Sequence, residues 1–158
     1  VRAWTLFCRH QSSAGGVNGL LDHEVAYALL RDESIDHIRA LSHPQALVIP
    51  ANRQGGRELR AQSIGPVFSL IGSRLHMRFS ARPRHASWRS DAPTEAARAA
   101  LARLFSDAGS FMFRLRLEPG QGLITHNILH DRSSFDGESQ AGLARLLYRV
   151  RYRDPVIP

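Results

Sequence analysis

Three side chains in the C-terminal part of the sequence could together bind a metal ion and a carboxylate. His130 lies in the run Ile124–Phe135, and Arg145 and Arg149 follow it closely along the chain. Imidazole is the commonest metal ligand among side chains, and a guanidinium group pairs with a carboxylate through two parallel hydrogen bonds. This combination is typical of a metal enzyme with an acidic co-substrate. The plainer alternative is a structural histidine beside a solvated strand face that carries arginines.

Two predicted strands position these side chains. Gly122–His130 and Leu143–Tyr152 are rich in β-branched, aromatic and leucine residues, which favours extended structure. Because successive side chains on a strand point to opposite faces, His126 and His130 should point the same way. On the second strand, one face would carry Arg145, Leu147, Arg149 and Arg151. The other face would be the apolar core face, with Leu146, Tyr148, Val150 and Tyr152. We expect the two strands to lie side by side and to point His130, Arg145 and Arg149 into one cavity.

The remaining pattern predicts short strands with inserted helices. Strands are expected at Arg2–Arg9, Leu47–Ile49 and Phe111–Leu117, and Val67–Ile71 and Leu75–Phe79 are expected to form a hairpin around Gly72. Helices are expected at Asp22–Arg31, after a capping Ser34, and at Asp91–Asp107, where Asp91 is the cap. Asn52–Gly56 is expected to be a turn or loop. This order favours a mainly β fold with helical insertions, a double-stranded β-helix or jelly roll that is incomplete at its N-terminus.

Length and composition indicate one domain over residues 1–158. The chain has 158 residues, 43% of them hydrophobic, and no apolar run approaches the roughly 20 residues of a membrane-spanning helix. The single cysteine, Cys8, lies on an apolar strand and is expected to be a buried, inert thiol. A chain with one cysteine favours a reducing compartment, so a cytoplasmic location is expected.

The positive charge does not indicate a nucleic-acid-binding protein. The net charge is +7, and all 21 basic residues are arginines that never form a run of three. Nucleic-acid binders usually carry basic runs with interleaved aromatic residues or glycine-rich loops. Arg78, Arg82 and Arg84, with Trp88, form a basic segment that could line a pocket for an acidic substrate, although structural roles are favoured there.

Five segments in order resemble the taurine dioxygenase-like (TauD/TfdA) family of Fe(II)- and 2-oxoglutarate-dependent oxygenases. Ala14–Asn18 and Tyr27–Leu30 are similar to the family's "GGDT…AYEAL" turn and helix, and Pro119–Gly122 is similar to its turn before the penultimate core strand. Ile128–Arg132 with Phe135 is similar to its "LHGR…F" signature, and Arg145–Arg149 is similar to its "R-x-x-x-R" segment. The resemblance spans nearly the whole chain, and the order and spacing of the segments make the combination more specific than any one of them.

The resemblance implies both the cofactors and the site residues. His130 would be the distal iron ligand, and Arg145 would bind the distal carboxylate of 2-oxoglutarate, with Arg149 beside the co-substrate or substrate. Asn18 occupies the place of a family threonine that helps to hold 2-oxoglutarate. The implied activity is hydroxylation by O2 of a small, acidic or zwitterionic metabolite, with release of succinate and CO2. The substrate and the oligomeric state cannot be read from the sequence.

The chain departs from the family at the iron site. The family holds iron with two histidines and one carboxylate, and the first two ligands form an H-x-D/E motif. None of the eight histidines here is followed two places later by Asp or Glu. The motif would lie upstream of Val1, so we expect a C-terminal portion of a longer enzyme that binds iron weakly and is inactive alone. His126 and Asp131 are disfavoured as substitute ligands. The alternative from another functional class is a non-catalytic jelly-roll module that binds a small carboxylate.

Overall fold

The structure is a computed structural model that describes residues 2–79, 86–107, 109–136 and 144–154. The chain divides into two compact units, Val1–Asp22 with Gly109–Pro158, and His23–Ala108. The first unit is built from strands, whereas the second contains the three α-helices of the described residues. No described helix has both the length and the apolar character that crossing a membrane requires.

The elements follow the predicted order closely. The helices are α1 (His23–Glu33), α2 (Ile35–Leu41) and α3 (Ala92–Asp107). The strands are β1 (Ala3–His10), β2 (Asn18–Leu21), β3 (Leu47–Ile49), β4 (Asn52–Gln54), β5 (Arg57–Arg60), β6 (Ser63–Gly65), β7 (Phe68–Ile71), β8 (Arg74–Met77), β9 (Ser87–Trp88), β10 (Phe113–Leu115), β11 (Gly122–His126), β12 (Leu129–Arg132) and β13 (Leu146–Tyr152).

The first unit contains two three-stranded antiparallel sheets. In one sheet β1 lies between β11 and β13, and in the other β2 lies between β10 and β12. Strands that are distant in sequence therefore become neighbours, as in a jelly roll. The mainly β jelly-roll fold is confirmed. Cys8 on β1 is fully buried, and burial raises its thiol pKa, as expected for an inert cysteine.

The strand predicted over Gly122–His130 is interrupted, which corrects the predicted placement of two histidines. β11 ends at His126 and β12 begins at Leu129, and the two strands belong to different sheets. The Ile128 N–H bonds the His126 carbonyl at 2.8 Å, which closes a tight turn between them. His126 and His130 therefore do not share a strand face. The pattern missed the turn because only Asn127 and Ile128 separate the two strands, and one polar residue does not interrupt a strand pattern.

The strand β13 does not lie beside β12, and its predicted core face is wrong. β13 pairs with β1 while β12 pairs with β2, so the last two strands are not side by side. The expected core residues are exposed at 39%, 54%, 49% and 39%, in the order Leu146, Tyr148, Val150 and Tyr152. The opposite face lies on the side of buried Trp4, which pairs with Arg151, but Arg149 and Arg151 are themselves exposed. Alternation shows which residues share a face but not which face is buried.

The helical unit follows its sequence signals at the helix ends. Ser34 caps α2, its hydroxyl accepting the Asp36 N–H at 3.2 Å, and Asp91 accepts the Thr94 N–H at 2.8 Å at the start of α3. Both caps were predicted. The core of this unit contains fully buried apolar side chains, among them Leu30, Leu41, Leu47, Phe68 and Leu101.

Two further predictions for the helical unit have different outcomes. The hairpin predicted around Gly72 is confirmed as β7 and β8. Residues expected to form a turn or loop instead begin a second hairpin, since Asn52–Gln54 pairs with Arg57–Arg60.

Arg78 has a structural role in the helical unit. Its Nη2 donates to the Gly65 carbonyl at 2.7 Å and to the Leu47 carbonyl at 2.5 Å, and its Nη1 donates to Ser63 Oγ at 2.8 Å. The guanidinium group thus joins β3 and β6 rather than lining a pocket. Arg82 and Arg84 lie outside the described residues.

Candidate functional site

His130 and Arg149 come together in the first unit although they lie in different sheets. An Arg149 Nη2 atom lies 3.5 Å from His130 Nε2. Trp4 of β1 packs against both, with its ring centroid 4.7 Å from that of His130 and 5.4 Å from the guanidinium carbon of Arg149. Trp4 is 1% exposed, and its indole N–H has no hydrogen-bond partner among the described residues. The rigid indole therefore fixes the spacing of the imidazole and the guanidinium group.

The hydrogen bonds of His130 leave one ring nitrogen suited to a metal. Its Nδ1 lies 2.9 Å from the Ile128 carbonyl, which only accepts hydrogen bonds, so Nδ1 carries the proton. The lone pair then resides on Nε2, the atom near Arg149, and second-shell carbonyls orient metal-binding histidines in this way.

The environment of His130 favours its neutral form. The residue as a whole remains exposed, but its ring packs on Trp4. This partial loss of water is the main cause that lowers the pKa of His130. The nearby Arg149 charge lowers the pKa further, while the hydrogen bond to Ile128 opposes the shift. A neutral imidazole is the form that binds metals.

Arg145 lies just before β13 in a second cluster, with Gln11, Gly16 and Phe135. Its Nε donates to Gln11 Oε1 at 2.9 Å, and its guanidinium carbon lies 4.5 Å from the centre of the Phe135 ring. The guanidinium carbon of Arg132 lies over the same ring, 4.4 Å from its centre. The Arg145 Nη2 atom is buried and has no partner within the described residues. A buried donor without a partner is costly, and a carboxylate oxygen would satisfy it.

Asn18 makes no hydrogen bond to either arginine in the described residues. Its Nδ2 lies 3.5 Å from the Leu115 carbonyl on the neighbouring strand, and the side chain is buried. The structure thus brings His130 and Arg149 into direct contact and places Arg145 and Asn18 in other contacts of the same unit.

The described residues alone do not fit an iron centre. Among them, no group of three or more His, Cys, Asp or Glu side chains could hold a metal. Asp131 is engaged elsewhere, since its Oδ1 accepts the Gly19 N–H at 3.1 Å. What they form is one metal-competent imidazole together with guanidinium groups suited to carboxylates.

Sequence reasoning missed two residues of these clusters. Trp4 was assigned only to a strand, and Gln11 was given no role. The available signal for Gln11 was a long polar side chain directly after an apolar strand, at a position that proves 6% exposed. A buried polar group of this kind must find partners, and Gln11 finds Arg145.

Comparison with a protein-family model identifies one family. The model for the taurine catabolism dioxygenase TauD, TfdA family matches residues 2–151. No curated protein sequence matches the chain significantly.

Solved structures with a similar fold include several oxygenases. An asparagine oxygenase, solved with Fe(II), 2S,3S-3-hydroxyasparagine and succinate, has a TM-score of 0.66 at 19% identity, covering 94% of this chain and 44% of its own. The non-heme iron oxygenase OrfP, solved with Fe, has a TM-score of 0.64 at 19% identity, covering 94% and 45%. The PvcB protein from Pseudomonas aeruginosa has a TM-score of 0.64 at 19% identity, covering 94% and 50%. The chain therefore spans half or less of the length of these proteins.

Proposed function

The chain belongs to the taurine catabolism dioxygenase TauD, TfdA family, and from this premise we propose that it supplies the co-substrate-binding part of an Fe(II)- and 2-oxoglutarate-dependent dioxygenase. The observation that carries the proposal is the buried, unpartnered Nη2 of Arg145 in the unit that also holds His130. Such a group suits the distal carboxylate of 2-oxoglutarate, because both partners would be charged and largely shielded from water.

Each site residue has a proposed task. Arg145 binds the distal carboxylate, and Arg149 lies beside the co-substrate or substrate. His130 contributes one neutral imidazole through Nε2. Asn18 helps to hold the co-substrate, for which its amide would have to exchange the Leu115 carbonyl for the ligand. The proposed substrate is a small, acidic or zwitterionic metabolite, and a cytoplasmic location remains a prediction.

We propose that the other two iron ligands come from polypeptide outside these residues. The absence of an H-x-D/E motif among the eight histidines and the coverage of 44% to 50% of the similar structures support this. The outer face of the sheet that contains β1 supports it as well. That face exposes six large apolar side chains, which suits a surface that further polypeptide covers. They are Phe7, Ile124, Leu146, Tyr148, Val150 and Tyr152.

Calorimetry of the chain with 2-oxoglutarate, with and without Fe(II), tests the proposal. We expect wild type to bind 2-oxoglutarate and Arg145→Met to lose most of that binding. Arg57→Met, which removes an exposed arginine of β5, should bind like wild type. Equal binding by all three proteins would refute the role of Arg145.

The metal arm of the same experiment tests the predicted inactivity. Weak iron binding without succinate release agrees with ligands supplied from elsewhere. Micromolar iron affinity with fast succinate release by this chain would show that prediction to be wrong. A longer chain that includes an H-x-D motif separates the two functions. If that longer chain binds 2-oxoglutarate but shows no iron-dependent turnover, the protein is instead a non-catalytic module that binds a small carboxylate.

A further inference from the structure

The Gln11 amide has a defined orientation beside Arg145. Its Oε1 accepts from Arg145 Nε at 2.9 Å, from the Ser12 N–H at 2.9 Å and from the Ser12 hydroxyl at 3.1 Å. Its Nε2 donates to the Leu117 carbonyl at 2.6 Å. A flipped amide would set NH2 against three donors and an oxygen against a carbonyl, so only one orientation satisfies these contacts.

This contact determines which edge of the Arg145 guanidinium group is available. A carboxylate can bind arginine side-on, through Nε and one terminal nitrogen, or end-on, through both terminal nitrogens. Gln11 already occupies the Nε position, and Nη2 is buried without a partner in the described residues. Because the side-on mode needs Nε, a carboxylate that binds Arg145 while Gln11 holds Nε must use the two terminal nitrogens.

Two neighbours fix the guanidinium group in the remaining directions. The guanidinium carbon lies over the Phe135 ring, 4.5 Å from its centre, which restricts movement of the group on that side. A Cβ atom on Gly16 would lie 3.1 Å from Nε and 3.4 Å from Nη2 of Arg145, so a glycine lets the backbone approach this closely. Gln11 fixes the direction of the Nε–H bond and so limits rotation of the group.

We propose that Gln11 is a positioning residue that directs Arg145 to accept the distal carboxylate of 2-oxoglutarate end-on. The inference rests on the proposed function. An amide suits this task because it holds Nε without neutralising the guanidinium charge. A carboxylate at this position would form an internal ion pair and would compete with the ligand.

The test compares 2-oxoglutarate with 2-oxobutyrate, which has the same keto-acid end but no distal carboxylate. Dissociation constants for both acids are measured by NMR titration of the chain. Wild type should prefer 2-oxoglutarate. Gln11→Leu and Gln11→Glu should each reduce that preference by roughly tenfold and leave 2-oxobutyrate binding unchanged. Gln54→Leu, which changes an exposed glutamine of β4, should keep the wild-type ratio.

The Glu variant separates positioning from a structural role. It keeps an oxygen acceptor for Arg145 and Ser12 but sets a second oxygen against the Leu117 carbonyl, so circular dichroism checks that each variant is folded before the titration. A purely structural glutamine predicts a wild-type ratio in a folded Gln11→Glu protein, and that result overturns the inference alone. Equal affinity of wild type for the two acids overturns the proposed function, and the inference with it.

A measurement on the wild type needs no variant to fold. The Arg145 Nε–H resonance should keep its free-state position when 2-oxoglutarate binds, because Gln11 continues to accept it. The terminal N–H resonances should shift. A large Nε–H shift would indicate side-on binding and would overturn the inference.

Discussion

Replacing Gly15 by alanine should destabilise the chain more than its backbone conformation alone predicts. Gly15 has φ +73°, a region that costs a residue with a Cβ about 1–2 kcal/mol. An added Cβ would lie 2.1 Å from the Ser134 carbonyl oxygen and 2.9 Å from the Phe135 Cα. Both contacts are to backbone, so the two segments must separate.

That separation gives the size of the additional effect. It would break the 2.9 Å hydrogen bond from the Gly16 N–H to the Ser134 carbonyl, a loss of about 0.5–1.5 kcal/mol. The matched control is Gly120→Ala, where φ is +85° and no atom lies within 4 Å of the added Cβ. The control should lose only the conformational cost, while Gly15→Ala loses roughly 1 kcal/mol more.

Thermal unfolding of the three proteins by circular dichroism measures the difference. For a chain of this length, about 1 kcal/mol lowers Tm by roughly 2–4 °C. We expect Gly15→Ala to melt at least that far below Gly120→Ala. A Tm for Gly15→Ala equal to or above that of the control would refute the close approach of these segments, and with it the placement of Phe135 beneath Arg145.

Three further results should follow from the same structure. In an NMR pH titration, the pKa of His130 should lie below the value of about 6.5 for an ordinary histidine, and a pKa at or above 6.5 would contradict the desolvation by Trp4. Because the unfolded chain then binds the proton first as the pH falls, the free energy of unfolding should decrease as the pH drops below about 6.5. In urea unfolding, Leu101→Ala should lower the free energy of unfolding by about 2–5 kcal/mol and Val150→Ala by about 0.5 kcal/mol or less, because of these two residues only Leu101 is fully buried. A comparable loss for both variants would indicate that the apolar face of β13 is buried after all. Ser34→Ala should cost about 1 kcal/mol through loss of the α2 cap, with Ser34→Asp close to wild type, and an unchanged Ser34→Ala protein would show that the cap contributes nothing.

Local signals in the sequence predicted the elements well. The caps at Ser34 and Asp91, the hairpin at Gly72 and the long helix ending at Asp107 each depend on residues close together in the chain. Hydrogen bonds and steric preferences of this range are readable from the sequence. The five segments that resemble the TauD/TfdA family, in the same order along the chain, likewise predicted the jelly-roll fold that the structure shows.

The sequence by itself determined which residue types the chain offers for chemistry, namely an imidazole and a pair of arginines near its C-terminal end. Only the tertiary structure decided how they meet. Trp4 and Gln11, both from the start of the chain, contact His130 and Arg145, more than a hundred residues away. β13 exposes the apolar face that the pattern assigns to the core, and its arginines lie on the side of buried Trp4 while remaining exposed themselves. The physical reason is that strand alternation is local, whereas the choice of buried face and of neighbouring strand depends on long-range pairing that no segment encodes alone.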